Sequence, residues 1–410
     1  MGSERKPARS VAGTWKRTAG LLAAATVLLA PGTGPAVAEG AGLTRASAVY
    51  AADGAGEPSI AVPYRVDELW RRGITGRGAT VAVLVSFGDP GMEKFMADYD
   101  EQYGLPPADI RRVEPLGKPP SCTDPGVNTE NCLAWVSESR LDVAMVHSLA
   151  PGARIVIAAS PVDETQGDSG MPEMMRTLDH LTRHRLADVV SMSFGSVEEN
   201  FNSPDSVRRY GRTLARARAA GITLVASSGD HGASGPLRDD PALHHPRRVV
   251  AWPASDPRVT AVGGSLLHVD PQGHRTSADT LWPKSGAGHS SVFPRPPWQH
   301  PVAGTGSVSG RSLPDITMQG AAGTSQSAPL FAGVLALAVQ LHHGPLGDIN
   351  PALYRLGAAG PAAGIVDVTQ GANSYAEVPG FTAGDGFDTA SGWGTVDVPR
   401  FVRALALAVT

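Results

Sequence analysis

Short, nearly unbroken apolar runs punctuate the first half of the chain: "ATVAVLVSF" (79–87), "RIVIAAS" (154–160), "DVVSMSF" (188–194) and "ITLVASS" (222–228). Runs of this length without polar alternation read as strands buried on both faces. Between them lie longer helical stretches, "GMEKFMADYDEQYG", "NCLAWVSESRLDVAMVHSLAPG", "MPEMMRTLDHLTRHR" and "SPDSVRRYGRTLARARAAG", the last stopping at Gly221. Strand and helix in alternation predict an α/β fold, with a mostly parallel central sheet and helices on both faces. Beyond about residue 270 the pattern becomes irregular and turn-rich, interrupted by one strong helix from Ser325 onward. No linker divides residues 61–410, which read as one domain.

The N-terminal residues follow a different rule. Arg5, Lys6, Arg9, Lys16 and Arg17 precede the apolar run "AGLLAAATVLLA" (19–30), and "AVA" (36–38) supplies small residues for cleavage. A basic stretch, a short apolar stretch and an A-x-A site form a secretory signal, residues 1–38, which ends at Ala38. The apolar run is too short to span a bilayer, which needs about twenty residues, and no later segment reads as a span. Residues 39–60 form a short lead-in. The expected product is secreted, extracellular, free of the membrane and monomeric.

Composition narrows the partners. At 410 residues and 42% hydrophobic content the chain can bury a large core. A formal net charge of −4 gives no basis for nucleic-acid binding. Cys122 and Cys132 flank a Pro/Gly/Asn-rich loop. In an oxidising compartment this pair reads as a structural disulfide rather than a zinc site, which needs more ligands.

Candidate chemistry sits in three separated segments. In "SESRLDVAMVHSLAPG", Glu138 and Asp142 are four residues apart on a helix, so both carboxyls leave one face. Two such carboxyls cannot both ionise easily and can share a proton. Alone, the spacing describes an ordinary solvated helix face. "SSGDHGASG" puts Asp230 in a Gly-rich turn after a strand, where an aspartate is usually a turn former. "GTSQSAPLFAG" puts Ser325 at a helix N-terminus, where a serine is usually a cap.

Taken together and in this order, these segments resemble the sedolisin family, the serine-carboxyl peptidases with a subtilisin-like fold. The resemblance covers roughly residues 60–400 and rests on "LDVAMVHSLAPGARIVIA", "VVSMSFGSVEE", "ASSGDHGASG", "VTAVGGS", "SGAGHSSVFPRPPWQ", "LPDI" and "GTSQSAPLFAG". It implies a three-layer subtilisin-like fold and an acid-active peptidase cutting proteins or peptides. Ser325 would be the nucleophile, Glu138 its general base, Asp142 the acid that orients and shares the proton, and Asp230 the oxyanion-hole carboxyl. The stretch Ser191, Met192, Ser193, Phe194 and Gly195 would pair with extended substrate. One structural Ca²⁺ ion would be held by the Asp367 and Asp388 side chains and the carbonyls of Val368, Gly384 and Gly386. Family members usually carry a long prodomain, where this chain has only the lead-in. The link from "LPDI" to "GTS" is also shorter than usual.

Two rivals stand beside this reading. A subtilisin-type Ser-His-Asp site also suits "GTSQSAP". It requires a His-Gly-Thr-like segment upstream and an Asn at position 230, and neither is present; "HHG" (342–344) follows the serine, and His147 faces away from Asp142. The other rival is a catalytically inactive, calcium-stabilised secreted binding protein on the same scaffold. Retention of Glu138, Asp142, Asp230 and Ser325 argues against it. Endopeptidase and tripeptidyl-peptidase action are both compatible with the sequence.

Overall fold

Parallel strands cannot be joined by tight turns, so the chain spends its helices as crossovers. The computed structural model describes residues 59–162, 165–305 and 308–409. The signal segment and all but the end of the lead-in lie outside the described residues. In chain order the main elements are β1 (Thr80–Ser86), α1 (Met92–Tyr103), β2 (Asp109–Val113), α2 (Thr129–Leu149), β3 (Arg154–Ser160), α3 (Met171–Arg183) and β4 (Val189–Met192). There follow α4 (Pro204–Ala219), β5 (Thr223–Ser227), β6 (Thr260–Leu266), β7 (Thr280–Leu281), β8 (Ile316–Gln319), α5 (Thr324–His342), α6 (Asn350–Ala359) and α7 (Val398–Ala408).

The sheet order is β8-β6-β5-β4-β1-β3-β2, parallel along that whole path, with β7 antiparallel to β6. Helices α2, α5 and α7 pack together, α3 packs on α4, and the sheet lies between the two groups. This is the expected three-layer α/β arrangement. The chain leaves β1 toward β2 and β3 on one side, then returns to β4 on the other. Such a reversal opens a crevice at the C-terminal ends of the strands. The main hydrophobic core runs from Ile60 to Leu405, and a small second cluster gathers Leu281, Val368, Ala383 and Ala390.

The four sequence-read strands and the helices between them fall where the pattern put them, within a few residues at each end. The strands it missed have identifiable causes. At the sheet edge, β2 ("DIRRV") is partly exposed and carries two arginines. In β6, Gly263 and Gly264 interrupt the apolar run; a side chain at 263 would collide with Pro314 and the Ser285 hydroxyl, each 2.8 Å from its Cβ. The four residues of β8 are too few to show a period. Two helices, α6 and α7, follow the single one expected after residue 270.

Helix α5 also corrects the expectation that no later segment could span a bilayer. Its 19 residues pass that test by length and hydropathy, but 83% of the apolar window is buried inside the protein. A helix that is apolar all round is a core helix when neighbours cover it. Where α5 crosses α2 the backbones approach closely: a Cβ at Gly333 would lie 3.1 Å from both Leu149 Cβ and the Val146 carbonyl oxygen.

Helix α2 begins at an Asn128 cap whose side chain accepts from Asn131 N at 3.1 Å. Just inside it, Cys132 is joined to Cys122 with 5.3 Å between Cα atoms. The bridge ties the preceding loop to the first turn of the helix that carries Glu138. Replacing both cysteines by serine should lower unfolding stability by roughly 2–3 kcal/mol, the loop-closure contribution of a short ring. A denaturant midpoint unchanged in the double variant would contradict this.

Candidate active site

The crevice collects side chains from four elements. The chain leaving β4 supplies Ser193, Phe194 and Gly195, the turn after β5 supplies Asp230, and the first turn of α5 supplies Ser325; all line one open cleft. Behind them, α2 contributes Glu138 and Asp142. Ser191 and Met192, expected to meet substrate, are instead fully buried inside β4 and paired to β1 and β5. The candidate substrate-facing stretch therefore narrows to Ser193–Gly195.

Asp142 is completely buried, and its Oδ1 accepts a 2.6 Å hydrogen bond from the Ser193 hydroxyl. Its Oδ2 has no partner. Burial, reinforced by the Glu138 charge, raises its pKa well above the usual carboxylate range. Asp142 thus keeps its proton, and Oδ2 has room for it. Glu138 reaches solvent only in part, and its Oε1 is buried without a partner. Burial pushes its pKa up to about 8; the Ser325 and Ser193 hydroxyls oppose this, and the Asp230 charge adds to it. That last contribution vanishes when Asp230 is protonated, so Glu138 then gives up its proton at lower pH.

Asp230 anchors the nucleophile's helix. Its Oδ1 accepts from Thr324 N at 2.8 Å and from the Thr324 hydroxyl at 2.7 Å. Its Oδ2 faces Gly323, where an added Cβ would come within 2.7 Å. Gly323 has φ +101°, which favours glycine in any case. Burial raises the Asp230 pKa, while the two Thr324 bonds and the Lys284 ammonium pull it down. One oxygen accepts and the other is free to hold a proton, the arrangement a neutral carboxylic donor requires.

The second serine of "GTSQSAP" is structural: Ser327 is buried and donates to the Gln319 and Met318 carbonyls at the end of β8. Gln326 is buried too, accepting from Ala322 N and touching Met145 Sδ on α2 at 3.8 Å. Pro329 has no N–H to offer the Ser325 carbonyl four residues back. The Ser193 hydroxyl lies 3.5 Å from that carbonyl. The motif "GTSQSAP" contains Gly323, Thr324 and Pro329 but does not by itself reveal their separate roles, and nothing local in the sequence points to Lys284.

Neither His147 nor His342 is in a position to replace the carboxyl pair. His147 is buried and committed to Asp100 Oδ1 at 3.1 Å and the Pro106 carbonyl at 2.9 Å. His342 closes the far end of α5, roughly 25 Å from Ser325 by helical rise, and bonds the Ala406 carbonyl.

The residues expected to hold calcium lie in neighbouring turns linked by hydrogen bonds. Asp367 Oδ2 accepts from Gly386 N at 2.7 Å and Asp388 Oδ2 from Gly384 N at 3.0 Å, while the Val368 carbonyl accepts from the Ser391 hydroxyl. Asp367 Oδ1 is buried with no partner, and the Asp385 charge stands close by. An orphaned carboxylate oxygen amid oxygen donors fits a hard cation. Among the described residues no three His, Cys, Asp or Glu side chains cluster as metal ligands, so an ion here would depend on backbone carbonyls as well.

The raised acidities have a stability consequence. Glu138 and Asp142 would titrate near 4 in the unfolded chain. Their folded pKa values are higher, so folding is favoured fully below about pH 4 and loses that contribution as pH rises toward the folded values. The double variant Glu138→Gln, Asp142→Asn removes the ionisation. It should be more stable than the parent at pH 7, by several kcal/mol, with the gap closing near pH 4. Equal melting curves at pH 7 would show that the pair is not desolvated.

Comparison with known proteins agrees with the geometry. Residues 127–352, a stretch holding Glu138, Asp142, Asp230 and Ser325, match the Subtilase family, Peptidase_S8. The chain is similar to kumamolisin of Bacillus sp. (strain MN-32), 29% identical over 85% of this chain and 64% of the relative. It is similar to tripeptidyl-peptidase 1 of Homo sapiens, 30% identical over 65% of this chain and 51% of the relative. The chain therefore spans between half and two thirds of these curated relatives. A solved Pseudomonas sedolisin, a serine-carboxyl proteinase complexed with pseudo-iodotyrostatin, superimposes with a TM-score of 0.67 at 24% identity, covering 80% of this chain and 92% of that one. With more than half its length matched and this shared fold, the chain belongs to the subtilase family, in its sedolisin branch.

Proposed function

We propose that the chain is a secreted, acid-active serine-carboxyl peptidase that hydrolyses peptide bonds in proteins or peptides. The observation that carries this reading is the convergence of Ser325, a desolvated Glu138–Asp142 pair and a helix-anchoring Asp230 on one cleft. Ser325 Oγ attacks the scissile carbonyl carbon, and its proton passes to Glu138. Asp142, protonated and held by Ser193, leaves Glu138 as the ionised member of the pair, and Glu138 becomes neutral as it takes the proton. The developing oxyanion takes a hydrogen bond from protonated Asp230, and the amine leaves with the proton from Glu138. Water then attacks the acyl-enzyme, with Glu138 again accepting the proton and Ser325 restored. Ser193–Gly195 receives the extended peptide. Export follows from the signal at residues 1–38, and the chain acts as a monomer.

The working protonation state is one ionised carboxyl among three. Activity should therefore follow a bell: the acid limb is set by protonation of Glu138, the alkaline limb by ionisation of Asp230. Burial opposes placing more than one charge in the site, and a neutral Asp230 lets Glu138 ionise at lower pH, so the active form belongs to acidic solution. Peptidase assays from pH 2 to 9 should place the optimum below neutrality. Ser325→Ala and Glu138→Ala should each lower kcat by several orders of magnitude, and the double variant should lose little more. Asp230→Asn retains an acceptor for Thr324 and a donor at all pH values, so its residual activity should lose much of the alkaline limb. An optimum near pH 8, or full activity in Glu138→Ala, would sink the mechanism.

The same reading assigns one structural Ca²⁺ to Asp367, Asp388 and the carbonyls of Val368, Gly384 and Gly386. When bound, the ion neutralises the carboxylates and cross-links the C-terminal loops; it takes no part in the proton chemistry. At free calcium about a hundredfold above Kd it would add about 2.7 kcal/mol of stability. A chelator should thus lower the Tm of the parent near neutral pH and leave that of Asp388→Ala unmoved. Identical parent melting curves with and without chelator would rule out the ion.

A further inference from the structure

Beside Asp230, the cleft wall carries a group that the proposed chemistry leaves unused. His231 lines the cleft, and its ring packs tilted against His244 at 5.0 Å and meets Tyr375 edge-on at 5.5 Å; His244 in turn meets Tyr375 at 5.1 Å. Three separate segments build this cluster. His244 arrives on a hairpin closed by Pro236 pairing with His244, and Tyr375 stands at a two-residue turn paired with Val378. That turn holds Ala376 and Glu377 at φ +46° and +64°, a conformation that side chains disfavour. The turn is locked to the Asp230 loop, since Ala233 N donates to the Asn373 carbonyl and a side chain at Gly232 would strike it at 2.3 Å.

The imidazoles are held but not satisfied. Neither ring of the pair hydrogen-bonds another described residue, and His244 Nε2 is buried with no partner. The charged groups around them are of one kind. Lys284, whose carbonyl accepts from Gly232 N, is close enough to lower the pKa of both His231 and Asp230. Asp230 is neutral in the working enzyme. Asp239, Asp240 and Glu377 are exposed on the outer parts of the hairpin and turn.

We propose that His231 and His244, backed by Lys284, form a carboxylate-binding subsite that makes the cleft prefer a peptide with an acidic side chain next to the scissile bond. The proposal rests on the peptidase reading and adds a substrate class to it. Burial, His244 and Lys284 hold the His231 pKa down to about 4, so the empty subsite is largely uncharged above that pH. A carboxylate entering it supplies the missing counter-charge, raises the imidazole pKa and draws in a proton. A glutamate side chain, with an ordinary pKa of about 4.3, is ionised over the same acidic range. A glutamine of the same shape offers no such charge.

The test uses the full chain and peptides blocked at both ends, identical except for Glu or Gln at each position flanking the cleaved bond. Between about pH 4 and 5, kcat/KM should favour the Glu peptide by about tenfold at one of these positions. The preference should fade below that range as Glu protonates and above it as the imidazoles stay neutral. His231→Gln and, independently, His244→Gln should bring the Glu/Gln ratio close to one. In Ser325→Ala, the His231 ring followed by NMR should titrate at higher pH with the Glu peptide than with the Gln peptide. A ratio near one in the parent, or one retained in both histidine variants, overturns the subsite. So does a preference shown only for a free chain-end carboxylate over its amide. If no peptide is cleaved at all, the peptidase reading has failed, and the ring titration alone decides whether the carboxylate subsite exists.

Discussion

Two hydrogen bonds to one oxygen hold the reactive centre together: Thr324 N and the Thr324 hydroxyl both donate to Asp230 Oδ1. They fasten the first turn of a nearly all-apolar helix to the end of a core strand, and Ser325 is the next residue. The position of the nucleophile is thus inherited from the sheet rather than from a loop. The carboxyl that does this is under opposing demands. A helix N-terminus and two donors favour its charge, whereas burial favours its neutral form. Splitting the work between oxygens resolves the conflict, with Oδ1 accepting and Oδ2 available to hold the proton. Only glycine at 323 leaves Oδ2 that room.

The same economy of charge explains why carboxyls rather than an imidazole suit this cleft in acid. Glu138, Asp142 and Asp230 are all desolvated, and each one's ionisation is opposed by burial before any neighbour is considered. One negative charge among the three is affordable in that setting; a second brings repulsion at short range in a poorly screened site. Buried imidazoles here move the opposite way: burial lowers the pKa of His147 and His231 alike. A buried imidazole here would give up its proton in acid, whereas the carboxyls keep theirs through the acidic range, which lets Asp142 stay neutral and Asp230 donate.

How much of this was legible depended on range. The strands in "ATVAVLVSF" and "RIVIAAS" announce themselves because each residue of a doubly buried strand is apolar. The β6 strand hid behind Gly263 and Gly264, whose small size answers to Pro314 and Trp282 pressing on them, a tertiary demand with no local signature. At the site, Glu138 and Asp142 could be paired from helical spacing, and Ser325 from its turn. The burial of Ser191 and Met192 agrees with "DVVSMSF" as a doubly buried strand, but the point where strand gives way to cleft, at Ser193, has no local signature. Nor has the meeting of His231 with His244 and Tyr375, whose partners lie 13 and 144 positions away.

Ser193 shows how such long-range contacts unite the parts. A hydroxyl has one proton to give and two lone pairs to receive with. Its 2.6 Å contact to Asp142 Oδ1 uses that proton, which leaves the more distant Ser325 carbonyl, at 3.5 Å, without a strong donor. If the Asp142 proton moves to Oδ1, the direction of the short bond reverses, and the Ser193 proton turns toward the Ser325 backbone. Pro329 is what keeps that carbonyl open, since any other residue there would bond it within the helix. The proton position in the acid pair is therefore felt at the nucleophile by two routes, through the Glu138 carboxyl at its hydroxyl and through Ser193 at its main chain.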